Sequence, residues 1–470
     1  MKKISNLLFS AVVLLLALGV SSCTDSKTKE LLSVVGDDAY GVAVVNTIDV
    51  LKSLDASFEN GQVTLPPSLK KIAGSGVKEI SKLRGIDFER VLFASYDSSP
   101  SEMCAALIKD GKEVEASLKK FNMKKKKVGD KAVFIEDTEY SSGAVAFCEG
   151  NVLICYTHLW WYDEDDLQKK LEKIFDRATE SMEAWKVSAI QGNSSSSLFG
   201  LFVSPDSKVD VSAAFAVNFS GSKATFKAKV MNTAGEEVEV NKEFGVEPAM
   251  LGNMTKHISD KDHVAFAFGG LKDMSIQDAI EEINIPGLSR EIERNFRYAP
   301  FDSEDFFKVL NGGFFVTANL ENPAKQPKSL KSVTAAVGVR TVDGRGEKLL
   351  KELKSLVKNA GVKVTSEDDG FGVKIPEMGN INVVLDGDCL IAATAEESPN
   401  STMGSENGMA AFLSVNLPSN FFLFKDYGIK FGVKGQAHIS DNVLEGEVEL
   451  TETDKPFLLT LVEAADKASH

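Results

Sequence analysis

The sequence predicts an α+β fold: two similar units of mainly antiparallel sheet with helices on one face. Three observations carry this. Short apolar runs rich in Val, Ile, Phe and Ala outnumber runs with apolar residues at helical spacing. Most consecutive runs are joined by tight turns such as Glu149-Gly150-Asn151 and Asp386-Gly387-Asp388, where glycine supplies the positive φ of a hairpin. The order of these features then recurs, so that residues 31–254 and 255–470 read as one script written twice. A chain of 470 residues, 43% of them hydrophobic, is also longer than one core usually grows.

Taken in order, each unit opens with an acidic turn and an apolar strand. Asp37-Asp38-Ala39-Tyr40 leads into Gly41–Val45, and Asp260-Lys261-Asp262-His263 into Val264–Phe268. A short helix follows (Ile48–Leu54; Met274–Ile283), then Gly85–Leu92 and Phe301–Leu310, each entering a strand. A strand, a helix and a strand come next. Val114, Leu118 and Phe121 make one helical stripe; Leu349, Leu350, Leu353, Leu356 and Val357 make the other, closed by Gly361 as C-cap. Hairpins over Ala144–Ile154 and Ile381–Ile391 correspond, and each unit closes on a longer hairpin turning at Ser220-Gly221-Ser222 or Ser440-Asp441-Asn442. Leu167, Leu171, Ile174, Phe175, Ala178, Met182 and Trp185 predict one long amphipathic helix in the first unit; its counterpart near Ser398–Ser401 reads as a loop.

The first 23 residues carry an address. Lys2 and Lys3 precede an apolar run, Leu7–Val20, too short for a stable membrane span. It ends at Val20-Ser21-Ser22-Cys23, small residues before a thiol, as a lipoprotein signal requires. The expected layout is signal peptide 1–22, acylated Cys23, a polar tether 23–30, and the two units. Acyl chains on Cys23 would hold the protein at the membrane. Removing 1–22 takes two lysines and no acid, carrying the formal charge from −15 to −17. The acidic body would therefore stand off anionic lipid. Thr24 is not the aspartate that retains lipoproteins at the inner membrane, so the outer membrane is expected. The same charge argues against nucleic-acid partners, which need a basic stripe.

The lipoprotein signal, the acidic turn and strand, Asn46-Thr47 and Val50-Leu51-Lys52-Ser53-Leu54, together with the length, resemble an uncharacterised lipoprotein family of gut Gram-negative anaerobes, a domain of unknown function. The resemblance implies an envelope role and brings no catalytic residues with it.

Candidate chemistry is sparse. His257, Asp260, Asp262 and His263 form the densest set of metal-ligand types, but their spacing fits no zinc signature, and a solvated turn before a strand is the reading preferred. Trp160, Trp161 and Tyr162 could stack on a sugar or anchor a helix start in the core. Asp163–Asp166 sits where acids favour a helix N-terminus. Lys124–Lys127 reads as a solvated run after a helix. Cys104, Cys148, Cys155 and Cys389 align between units with Thr334, Leu385, Ala392 and Val152, as packing residues do. A two-residue turn places Cys155 opposite Ala144 or Ala146, out of bridging reach of Cys148. No cofactor motif occurs. The expectation is a lipid-anchored, non-enzymatic binding or scaffold module with a glycan or protein partner. The alternative is an envelope glycan or peptidoglycan hydrolase using paired carboxylates among Glu136, Asp137, Glu139, Glu367, Asp368 and Asp369.

Overall fold

The computed structural model describes residues 24–59, 62–70, 83–136, 142–206, 209–243, 245–259, 261–283, 294, 303–320, 322–325, 333–342, 344–367, 369–376, 379–394 and 408–468. In chain order the first elements are α1 (Thr24–Leu32), β1 (Ala39–Asn46), α2 (Thr47–Ser53), β2 (Ser57–Glu59), β3 (Gln62–Thr64), β4 (Ile86–Tyr96), β5 (Glu102–Ile108), α3 (Gly111–Lys120), β6 (Met123–Val128), β7 (Lys131–Glu136), β8 (Ser142–Glu149) and β9 (Val152–Trp160). Then come α4 (Glu164–Thr179), α5 (Ala184–Gln191), β10 (Leu198–Val203), β11 (Ser212–Ser220) and β12 (Lys223–Met231). The next group is α6 (Leu251–Thr255), β13 (His263–Phe268), α7 (Ile276–Ile283), α8 (Ser303–Phe307), β14 (Leu310–Leu320), β15 (Val333–Thr341) and α9 (Gly346–Asn359). It continues through β16 (Val364–Glu367), β17 (Gly370–Ile375), β18 (Gly379–Asp386), β19 (Cys389–Ala393), β20 (Met409–Leu417), β21 (Gly432–Ser440) and β22 (Val443–Thr451), and the chain ends in α10 (Phe457–Ala468).

Two compact units result: Met1–Glu237 with Asp454–His470, and Val238–Thr453. The 254/255 boundary read from the sequence falls inside α6. In the first unit the strands run in the order β12-β11-β10-β1-β4-β5-β9-β8-β7-β6. In the second they run β22-β21-β20-β13-β14-β15-β19-β18-β17-β16. Every one of these pairings is antiparallel.

The expected α+β class, with helices on one face of each sheet, is overturned. The chain is mostly antiparallel sheet, 43% strand against 27% helix. Helices also lie on both faces. On β1, Val42 and Val44 enter a core with Leu31 of α1, Leu171 of α4 and Ile190 of α5. Val45 enters an opposite core with Val50 of α2, Val114 of α3 and Leu459 of α10. In the second unit, Met254 of α6 packs with Ala265, Ala267 and Phe315, whereas Leu349 of α9 packs with Leu310 and Leu390 on the other face. A strand buried on both sides reads as a continuous apolar run, so its pattern does not reveal which face a helix covers.

Three local expectations also change. The stretch expected as one helix over 167–185 is two, α4 and α5, because Glu180 is extended at φ −72°, ψ 133°. The acidic run 163–166 does start α4, with Asp163 capping Asp166 N at 2.8 Å. Lys124–Lys127 are a strand, β6, at the end of the sheet order. An exposed lysine row on a terminal strand discourages further strands from pairing there.

The polar segment expected as a tether is helical from Thr24, and it is docked. Thr28 is fully buried, and Leu31 and Leu32 join the core. Lys27 Nζ donates to Asp87 Oδ2 at 2.9 Å and to Glu89 Oε2 at 2.5 Å on β4. Arg90 Nη1 donates to Thr28 Oγ1 at 2.5 Å, and its Nη2 to Ser194 O at 2.8 Å. Burial alone would raise the Asp87 carboxyl; the bonds from Lys27 and Glu89 N–H, with Lys109 nearby, hold it below its usual range instead. Burial works to lower Lys27, and its two carboxylates raise it. A buried carboxylate pair without this lysine would be poorly compensated, so the network fixes where α1 sits.

Candidate functional site

The aromatic trio at the end of β9 divides. Trp161 packs against the first core. Trp160 and Tyr162 are 54% and 92% exposed. Lys170 Nζ donates to Trp160 O at 2.5 Å and lies 5.8 Å from the Tyr162 ring centroid, and Asp166 Oδ2 accepts from Tyr162 N at 3.0 Å. These contacts fasten the β9–α4 turn.

The histidine turn is built into the sheet. His263 is buried, with Nδ1 2.7 Å from Lys261 O and Nε2 2.9 Å from Ser414 Oγ. The His257 ring stacks on Phe315 at 6.2 Å. Asp262 O accepts from Leu320 N at 3.1 Å. Asp260, like Cys23, lies outside the described residues. Among the described residues no group of three or more His, Cys, Asp or Glu converges as a metal site would require. Of the carboxylates expected for hydrolysis, Asp137, Glu139 and Asp368 lie outside the described residues. Glu136 Oε2 accepts from Ala144 N at 3.1 Å, a contact between neighbouring strands.

The sequence reading missed an apolar sheet face in the second unit. The residues facing its α6 core alternate with Val264, Phe266 and Phe268 on β13, Phe314 and Val316 on β14, Val337 on β15 and Leu413 on β20. Register places them side by side: Leu413 opposite Phe266, Phe266 opposite Val316, and Val316 opposite Val337. The Phe266 and Phe314 rings are 5.6 Å apart, and Phe268 and Phe314 6.5 Å. Among the described residues, Ile276 of α7, Phe306 of α8 and Leu349 of α9 cover this face around Leu310, Val339 and Leu390. Val264, Phe268, Val316, Val337 and Leu413 are left 36–45% exposed. Scattered apolar exposure is ordinary, but a contiguous patch marks a contact surface. Beside α9 lies a cleft of about 730 Å³, floored by Phe306, Leu349, Leu353 and Leu356 and rimmed by Glu347, Lys351 and Glu352.

No protein-family model matches the chain, and no curated protein matches it. It is similar to one solved structure, titled "Structure of crystal form I of TP0453", at a TM-score of 0.23 and 8% identity, over 78% of this chain and 91% of that one. A likeness of that score carries no argument about fold or function.

Proposed function

We propose that the chain is a lipid-anchored cell-envelope protein, held at Cys23, that works without catalysis by binding a partner protein through the bare apolar face of its second unit. The family resemblance and the outer-membrane assignment drawn from the leader belong to the same reading. The observation that carries it is the contiguous row Leu413, Phe266, Val316 and Val337, with three of the four more than a third exposed. The occupant is argued from chemistry. Sugars are held by stacking on broad aromatic faces together with hydrogen bonds to their hydroxyls. This row offers valine, leucine and phenylalanine, the complement of another protein's apolar side chains.

The test places a photoreactive residue at Val337 in the full chain, in cells. A discrete protein adduct, lost when Val316→Glu and Leu413→Glu are added, supports the reading; diffuse or absent cross-linking overturns it. Palmitate labelling that disappears in Cys23→Ala tests the anchor separately. Turnover of a glycan by the purified protein, abolished by one carboxylate substitution, would replace the reading with the hydrolase alternative.

A further inference from the structure

Three cysteines of the first unit share one sheet face. Cys104 on β5 stands directly opposite Cys155 on β9, and Cys155 stands opposite Ala146 on β8, two residues from Cys148. The phase of the β5–β9 ladder follows from Ile108 N donating to Asn151 O at 2.8 Å. Opposed antiparallel pairs alternate between mutually hydrogen-bonded and not. Four positions along, Cys104 and Cys155 therefore fall on a hydrogen-bonded pair, whose Cα atoms are about 5.5 Å apart. That lies within the range a disulfide spans. Cys148 is diagonal to Cys155, at about 7–8 Å, beyond comfortable reach. Both Cys104 and Cys155 are half-buried.

We propose that Cys104 and Cys155 are a modification site, closing to a cross-strand disulfide by exchange with an external disulfide. The register sets the two thiols against one another across the strands, so that each influences the ionisation of the other. Whichever of the two thiols ionises opens the exchange; taken for Cys104, the step is a nucleophilic displacement at sulfur. The Cys104 thiolate bonds to one sulfur of the external disulfide and expels the other as a thiolate. Cys155 then loses its proton and bonds to Cys104 Sγ, expelling the second thiolate. The cysteine pair is oxidised, the external disulfide is reduced to two thiols, and the two cysteine protons pass to those thiols. Cys389 stays out of the reaction: it is fully buried on β19, and burial pushes its thiol up to about 12.

This inference is independent of the proposed binding role. The full chain is treated with oxidised glutathione, quenched in acid, alkylated and mapped without reduction. The expected product is one linked peptide pair, Cys104 to Cys155, with loss of two hydrogens and a rise in Tm that dithiothreitol reverses. Cys148→Ser should leave the link intact, whereas Cys104→Ser and Cys155→Ser should each abolish it. Complete alkylation of both thiols in the treated wild-type chain would overturn the proposal. So would a link through Cys148, or a glutathione adduct on Cys104 that never closes. These readouts need only the wild-type protein, so a variant that fails to fold leaves the test standing.

Discussion

The two units carry the same strand order, and corresponding rows of residues across them show what distinguishes them. On the face described for the second unit, the row Leu413-Phe266-Val316-Val337-Ala392 answers to Gly200-Ala43-Phe93-Cys104-Cys155 in the first. On the opposite face, Ala267-Phe315-Gly338-Ile391 answers to Val44-Leu92-Ala105-Ile154. The inner rows conserve volume by exchange: a phenylalanine beside alanine and glycine replaces a leucine beside valine and alanine. The outer rows do not. In the first unit the Phe215 ring closes over Gly200, where an added Cβ would come 2.8 Å from Phe215 Cζ and 2.0 Å from Val42 O. In the second the glycine–phenylalanine pair is on the inner face, with Gly338 against Phe315, and on the outer face Val316, Val337 and Leu413 are more than a third exposed. A phenyl ring laid over a strand glycine shields backbone.

The comparison can be broken most forcefully at Phe315. It is fully buried, so Phe315→Ala should cost about 3–5 kcal/mol in urea unfolding, whereas the neighbouring Val316→Ala on the bare face should cost far less. Equal losses would mean that the outer row is structural. Next, Gly200→Ala should destabilise by about 3 kcal/mol, because its Cβ meets backbone that cannot give way. A neutral result would show that the first unit could accept the second unit's row. Lys27→Met should cost about 2 kcal/mol, since Asp87 and Glu89 stay buried while Lys109, 3.5 Å from Asp87, compensates in part.

That network also sets a pH dependence confined to the first unit. The Asp87 carboxyl is depressed in the folded state, so its contribution is complete above its unfolded pKa and is lost as acid carries the pH through the lower folded value. Lys27 is raised, so its contribution is complete below its unfolded pKa and is lost as the pH climbs through the higher folded one. Unfolding across an acid series should fall less steeply in Lys27→Met than in wild type; parallel curves would remove the pair from the account. The smallest expected effect sharpens the contrast: Val316→Glu or Leu413→Glu should change stability by about 0.5 kcal/mol or less, while removing the proposed cross-link.

What the sequence made legible was local. The hairpin turning at Gly150 is there, with Glu149 opposite Val152 and Cys155 opposite Ala146, because a two-residue turn dictates its own register. The helix start at Asp163 is legible for the same reason. The pairings that place chemistry are not local. Cys104 aligns with Thr334 by sequence, yet the sheet gives it the place of Val337, because β5 meets β9 across the whole β6–β8 excursion. Phe266 and Val316 look like core residues, since alternation marks a face without saying whether anything covers it. His263 shows its residue type in the sequence but not its partner, Ser414, which is 151 positions away.

The docked first helix has a mechanical consequence. Only three residues lie between Cys23 and Lys27, four steps along the chain, and Lys27 is held by two carboxylates on β4. Even fully drawn out, that length of backbone reaches roughly 14 Å, less than half the hydrocarbon thickness of a bilayer. An acylated Cys23 would therefore bolt this flank of the first unit against the lipid headgroups, fixing which side of that unit looks outward instead of letting it swivel on a stalk.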